Sequence, residues 1–245
     1  MNDAERLNIA LDRARVRLKS GIGTQSERLV HTTVKYFLEP NESCHEIRIG
    51  SKIADVFQKE TGHIYEIQTR SFDRLRDKLD VFLPEYPVTV VYPCVRKKYL
   101  CWIDPDTGEI LSRRKSPREG RVSDILPEIW RLPNTMFHPN LEFMVLMMDM
   151  EEYKLLDGYS KDKKHGAHRM ERMPLSIEVG GTIKTPEDFK ALVPGLLPDK
   201  FDRQMLMKAM KLPGMKGSQA ITVLERAGAI EHVETVKRKY IYQRG

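Results

Sequence analysis

The chain has 245 residues, 40% hydrophobic and 31% charged, with a formal charge of +6 at pH 7. That balance fits a folded globular protein of one large or two modest domains and excludes a disordered or fibrous one. The longest apolar run, residues 143–148, is far short of the roughly 18 needed to cross a bilayer, so no membrane partner is expected. The N-terminus lacks the uninterrupted apolar stretch of a secretory leader, and Cys44, Cys94 and Cys101 show no CxxC spacing. A cytoplasmic protein without a disulfide scaffold or zinc ribbon is the expectation.

Residues 3–19 set Leu7, Ala10, Leu11, Ala14 and Leu18 on one stripe, the mark of an amphipathic helix, with Gly21 as a stop. A second helix runs from Thr24 to about Leu38 and ends before Pro40-Asn41. The period then changes from helical to alternating. Residues 45–49, 52–57 and 63–69 read as three short strands, and 71–83 as a helix ended by Pro84. Residues 87–92 and 99–103 read as two further strands, apolar enough to be central. This order predicts an α/β fold, a mixed sheet flanked by helices, over residues 1–183.

Residues 104–122 are polar and turn-rich and read as a loop or β-arm, with Asp104 to Gly108 as a turn rather than a calcium loop. A short helix at 123–130 and a strand at 141–150 follow. Residues 161–172 read as a charged loop, and 175–183 as an extended segment leading out of the domain. His165 and His168 have a spacing that suits a metal, but no Cys accompanies them and cations surround them, which argues against zinc.

Residues 184–245 form a second unit, small and α+β. A short helix starts at Thr185, further helices at 201–212 and 218–227 are separated by Pro213-Gly214, and strands at 229–233 and 239–242 are joined by a basic turn. This is the element order of a winged helix-turn-helix. The charge is uneven: residues 196–245 hold ten Lys or Arg against five acids, so most of the net charge sits here. Such a concentration points to a polyanion partner, DNA above all, with RNA an alternative. On the second long helix Ala220, Ile221, Leu224 and Ala227 face inward, while Lys216, Gln219, Thr222, Val223 and Arg226 face outward. Lys216, Gln219 and Arg226 are candidate groove contacts, and Lys237, Arg238 and Lys239 candidate phosphate contacts.

The segment 52–69 carries the candidate chemistry. If residues 59–62 connect the strands, Gln58 pairs with His63, and Asp55 falls opposite Glu66 with Gln68 on the same face. A one-residue slip would drive an acid into the apolar set Ala54, Val56, Tyr65 and Ile67, which is costly. Two opposed carboxylates repel unless one is protonated or a cation lies between them. Oxygen ligands suit Mg2+ or Mn2+, ions that assist phosphodiester hydrolysis.

Asp55, a turn, and Glu66-Ile67-Gln68 on the next strand, between two helices, resemble the PD-(D/E)XK (restriction-endonuclease-like) nuclease superfamily over about residues 24–103. The resemblance implies a metal-dependent DNA endonuclease in which Asp55 and Glu66 bind metal and Glu27, from the first core helix, assists. Gln68 stands where the family usually has Lys. It supplies an amide to a water but no positive charge, and Lys52, Arg70, Arg74 and Lys78 are the candidate substitutes. Glu27 also completes a capping box with Thr24. His31 reads as a packed or hydrogen-bonded histidine, and Glu46 as a solvated strand acid. The alternative expectation is a DNA-binding regulator on a nuclease-like scaffold that no longer cleaves. Cutting both strands of a duplex suits a homodimer, although the sequence shows no interface.

Overall fold

The structure, a computed structural model, describes residues 2–19, 25–158 and 166–245, with only the backbone of residues 19 and 25–28. Among the described residues seven strands form one mixed sheet, flanked by helices on both faces. Helices α1 (Asp3–Lys19) and α2 (Gln25–Leu38) precede a meander of β1 (His45–Ile49), β2 (Lys52–Gln58) and β3 (His63–Ile67). A 3-10 turn and α3 (Arg76–Phe82) then lead into β4 (Val88–Ile103), which lies parallel to β3. β5 (Ile110–Lys115) folds back antiparallel on the far half of β4. After α4 (Leu126–Ile129), β6 (Leu141–Leu155) runs parallel to β4, and β7 (His168–Ile183) closes the order β1-β2-β3-β4-β6-β7.

The sheet separates two apolar layers. Ile64, Val88, Val90, Phe143 and Val145 face α3 and α4, where Phe72, Leu79, Phe82 and Ile129 are fully buried. Ile67, Val91, Leu146, Met148 and Met150 face the other way, onto Leu7, Ala10, Leu11 and Ala14 of α1 and Leu29, Val34 and Phe37 of α2. The helical stripes read from the sequence are therefore the buried ones.

Several expected boundaries move. The two strands expected at 87–92 and 99–103 are the single strand β4, which passes through Pro93. Proline is tolerated there because backbone groups alternate sides along a strand. Val91 O accepts from Gln68 N–H on the β3 flank, so Pro93 turns its missing donor to that same flank, where β3 has ended. The strand expected at 141–150 continues to Leu155 as part of β6. Residues 168–172, expected in a charged loop, and 175–183, expected to lead out of the domain, both belong to β7 and pair with β6 along its length. Irregularities in that ladder, one of them at Gly180, obscure the alternation in sequence. His165 lies outside the described residues, and His168 engages Asp157 through Nδ1 at 2.5 Å.

After Ile183, Thr185 caps α5 (Pro186–Lys190): its hydroxyl accepts from Asp188 N–H while Asp188 Oδ2 accepts from Thr185 N–H. β8 (Lys200–Asp202), α6 (Arg203–Met210), α7 (Gly214–Arg226), β9 (Ile230–Val236) and β10 (Lys239–Arg244) complete the chain, with strand order β8-β10-β9. Residues 201–202, expected to open a helix, belong with Lys200 to the third strand. Asp202 then caps α6 through Met205 N–H at 2.9 Å. Helix α7 starts at Gly214, four residues before its expected start. Val223, expected to face outward, is fully buried, because α7 packs against α4 and its residues join the same apolar cluster as Ile125, Leu126 and Ile129. Lys237 and Arg238 make the two-residue β9–β10 turn with φ of 47° and 67°, a left-handed pair that such tight hairpins require.

On the open flank of β4, Gly120 N–H donates to Val95 O at 3.0 Å. A Cβ at residue 120 would stand 2.4 Å from that oxygen, so the backbone could not approach as it does. Gly120→Ala is expected to cost about 1–3 kcal/mol, read as a lower midpoint in urea denaturation with an unchanged slope.

Candidate active site

The β2–β3 hairpin pairs Gln58 with His63, Phe57 with Ile64 and Val56 with Tyr65, the register expected from the turn. The next pair would be Asp55 with Glu66, and there side chains replace the backbone ladder. Asp55 N–H donates to Glu66 Oε1 at 3.1 Å, and Ile67 N–H donates to Asp55 Oδ2 at 2.9 Å. The strands part at this point, and Asp55 fills the gap between them. Its carboxylate is thereby reachable from both sides of the sheet. From α2, His31 Nε2 lies 3.3 Å from Oδ2. From α3, Lys78 Nζ lies 4.0 Å from Oδ1 and donates to Glu66 Oε2 at 2.7 Å.

Burial separates the two acids. Asp55 keeps 17% of its side chain exposed, Glu66 only 1%. Burial pushes Asp55 up, but His31 and the ammonium groups of Lys78 and Lys35 outweigh it and hold its carboxyl at about 2. Glu66 goes the other way. Burial and the negative charge of Asp55 raise it to about 7, against the pull of Lys78. The pair thus holds one firmly ionised carboxylate and one poised near neutrality, the kind of split that serves acid–base work.

Of the candidate substitutes for the motif lysine, Lys78 is the one brought to both acids. Lys52 pairs with Asp77 at 3.5 Å instead. Gln68 turns its amide nitrogen to Arg70 O at 2.6 Å. Glu27 lies in α2, but its side chain, like Thr24, is outside the described residues. His31 is hydrogen-bonded as expected, to Asp55. Glu46 is no simple solvated acid: it binds Lys35 Nζ at 2.9 Å and Arg17 at 3.1 Å, from a backbone φ of 56°. Among the described residues no group of three or more His, Cys, Asp or Glu is arranged to hold a metal.

Asp55 lies in the wall of a cleft of about 1180 Å³, whose lining also includes Val30 and His31 of α2, the end of β3, the open flank of β4 and the start of β7. Glu66 and Lys78 lie behind Asp55, outside that lining. The lining includes Arg17, Lys35, Arg70, Lys98, Arg118, Arg169 and Arg172 against Glu46, Asp55 and Asp124. Such an excess of cations focuses positive potential within the cleft. No local pattern marks Arg169 and Arg172, since their segment reads as a loop; as β7 residues they are fixed beside the cleft.

The candidate nucleic-acid contacts lie on α7 and on the β9–β10 hairpin. Lys216 is exposed in the first turn of α7, where its charge acts on Asp124, Gln219 is half-buried, and Arg226 is exposed at the helix end. Lys237, Arg238 and Lys239 are exposed on the hairpin, with Lys239 Nζ 3.4 Å from Asp202.

The chain belongs to the family described as "Domain of unknown function (DUF8091)", whose model matches residues 28–184. The match takes in Asp55, Glu66, Lys78 and most of the cleft, and stops as α5 begins. An uncharacterized protein of Treponema pallidum (strain Nichols) is similar, 29% identical over 180 residues that cover 74% of this chain and 71% of the relative. No solved structure matches. No helix among the described residues is long and apolar enough to cross a membrane.

A raised carboxyl such as Glu66 stabilises the fold most below its unfolded pKa and loses that contribution as pH rises through the folded value. From Glu66, stability is therefore expected to fall between pH 4.5 and about 7. Glu66→Gln should flatten that stretch of a plot of urea midpoint against pH.

Proposed function

We propose that this chain is a metal-dependent nuclease of the PD-(D/E)XK kind that hydrolyses phosphodiester bonds in DNA. In this reading residues 1–183 are the nuclease domain, built on a core at about 24–103, and residues 184–245 are a winged helix that docks the duplex. The observation that carries it is the convergence of Asp55, Glu66 and Lys78 where β2 parts from β3, beside a cation-lined cleft. The strand order supports it: an antiparallel meander, a helix, then a strand parallel to the third. So does the C-terminal order of two helices and a basic hairpin.

The donor chemistry fits a hard dication. Asp55 and Glu66 offer oxygen only, and Asp55 Oδ1 stands 4.0 Å from the Lys78 ammonium, beyond hydrogen-bond reach, whereas both Glu66 oxygens accept hydrogen bonds, so Lys78 would give up Glu66 Oε2 to a shared dication. These two residues would hold Mg2+ or Mn2+, which when bound activates water and offsets charge on the phosphate. Lys78 supplies the positive charge that Gln68 lacks. Gln68, its amide nitrogen committed to Arg70, keeps its carbonyl oxygen to orient a water. His31 holds Asp55 ionised, and Glu27 assists from α2. The cations of the cleft grip phosphates, while Lys216, Gln219, Arg226, Lys237, Arg238 and Lys239 engage the duplex from the second unit. Cleavage of both strands would pair two copies as a homodimer. Three free, buried cysteines suit the reducing cytoplasm.

Nicking of supercoiled plasmid in Mg2+ or Mn2+ tests the proposal. Asp55→Ala is expected to abolish it, and Lys78→Met to slow it by about 10²–10³. Gln68→Lys added to Lys78→Met should restore part of the rate, since the charge returns at the motif's usual place. Wild-type rates in Asp55→Ala overturn the mechanism, and RNA in the same assay separates an RNA nuclease from a DNA nuclease. One observation favours a second reading, a non-cleaving DNA-binding regulator: Lys78 already satisfies Glu66. Salt-sensitive DNA binding, indifferent to metal and to Asp55→Ala and without nicking, would decide for it.

A further inference from the structure

The sheet face that packs against α1 and α2 extends along the far halves of β4, β6 and β7, and there it turns from apolar to basic. Register places Arg172 opposite Glu152, Arg169 opposite Lys154, and Trp102 beside Lys154. Glu152 is 3% exposed, and four cations converge on it: Arg172 at 3.1 Å, Arg169 at 3.5 Å, Lys98 at 3.6 Å and Lys154 at 3.9 Å. The cations themselves keep 28–40% of their side chains exposed.

One buried carboxylate balances one cation, not four. Among neighbouring acids, Glu151 is committed to Arg113 and Tyr153, and Asp149 and Glu178 to Arg96, while Glu171 lies opposite Tyr153. Burial pushes Glu152 up, yet the surrounding cations hold it below the usual carboxylate range, so it stays ionised and orders them. The excess positive charge faces solvent and the cleft, since Lys98, Arg169 and Arg172 also line the cavity that contains Asp55. Next to them the Trp102 ring has Lys154 Nζ at 5.2 Å and Arg114 Cζ at 6.0 Å from its centroid.

We infer that this basic and aromatic surface is a binding site for a single polynucleotide strand, with phosphates on Lys98, Arg169 and Arg172 and a base against Trp102. Cations that follow a backbone beside an aromatic plate are the chemistry of single-strand recognition. Glu152 is a positioning residue that presets the cations and touches no ligand. The inference deepens the nuclease proposal and rests on it only for the claim that the bound strand continues to Asp55. It also moves the main contact with substrate from the C-terminal unit to the cleft.

The test is fluorescence anisotropy of the full chain with fluorescein-labelled oligothymidine of about 20 nucleotides, in EDTA, over about 50–200 mM salt. Arg169→Ala with Arg172→Ala is expected to weaken binding at least about tenfold. It should also reduce the magnitude of the salt slope by about 1.4, or about 0.7 for each phosphate of a single strand that is no longer neutralised. Trp102→Ala should weaken binding by about tenfold. Glu152→Gln keeps the shape but removes the anion that presets the cations, so a folded variant should bind more weakly, by less than the double variant. Wild-type affinity and slope in the double variant overturn the inference, as does failure of the wild type to bind. Unchanged or tighter binding by a folded Glu152→Gln overturns the positioning role of that carboxylate. Since EDTA suppresses cleavage, binding without any plasmid nicking would sink the nuclease proposal and leave this site standing.

Discussion

The site depends on a local exchange of hydrogen bonds. At the end of the β2–β3 ladder, Asp55 N–H gives its bond to the Glu66 side chain, and Ile67 N–H gives its bond to the Asp55 side chain. Two backbone donors that pairing would have satisfied are satisfied by carboxylates instead. The acids therefore stay close at no cost in unpaired backbone groups, and the gap between the strands becomes a place where opposite faces of the sheet meet. Lys78 enters from one face and His31 from the other. Without Lys78, Glu66 would lose the cation that hydrogen-bonds to it, and His31 and Lys35, on the Asp55 side, would be left to offset the repulsion.

Burial raises both acids, and their charged neighbours give them different characters. Asp55, at the rim, is the ionised acid, and Glu66, behind it, is the one that takes a proton readily. The cleft repeats this logic on a larger scale. Its cations come from α1, α2, the segment after β3, β4, the segment after β5, and β7, elements far apart in the sequence, so a compact basic surface arises in a stretch whose overall charge is close to balanced.

The parts legible in the sequence were those governed by local rules. The period-two alternation and the four-residue connection set the hairpin register, and the stripe Leu7, Ala10, Leu11, Ala14 identified the buried face of α1. The part that failed was governed by long-range pairing. Pro93 split β4 into two apparent strands because nothing local shows that its flank lacks a neighbour. β7 was hidden by its bulges and by a run of charged residues whose partners lie on β6. Val223 was misassigned because its burial comes from α4, almost a hundred residues upstream. Lys78 was only one of four candidate cations, since no spacing rule links a residue on α3 to a pair of strand acids.

The seam between α7 and α4 has a meaning for the whole lineage. Ile125, Leu126 and Ile129 lie inside the stretch that the family model matches, whereas the helix that covers them lies beyond it. A chain that ended near the last strand of the sheet would expose the side of this apolar strip that α7 covers. The strip at 125–129 therefore serves as a marker: its hydrophobicity in other members should track whether they carry an appended unit of this kind.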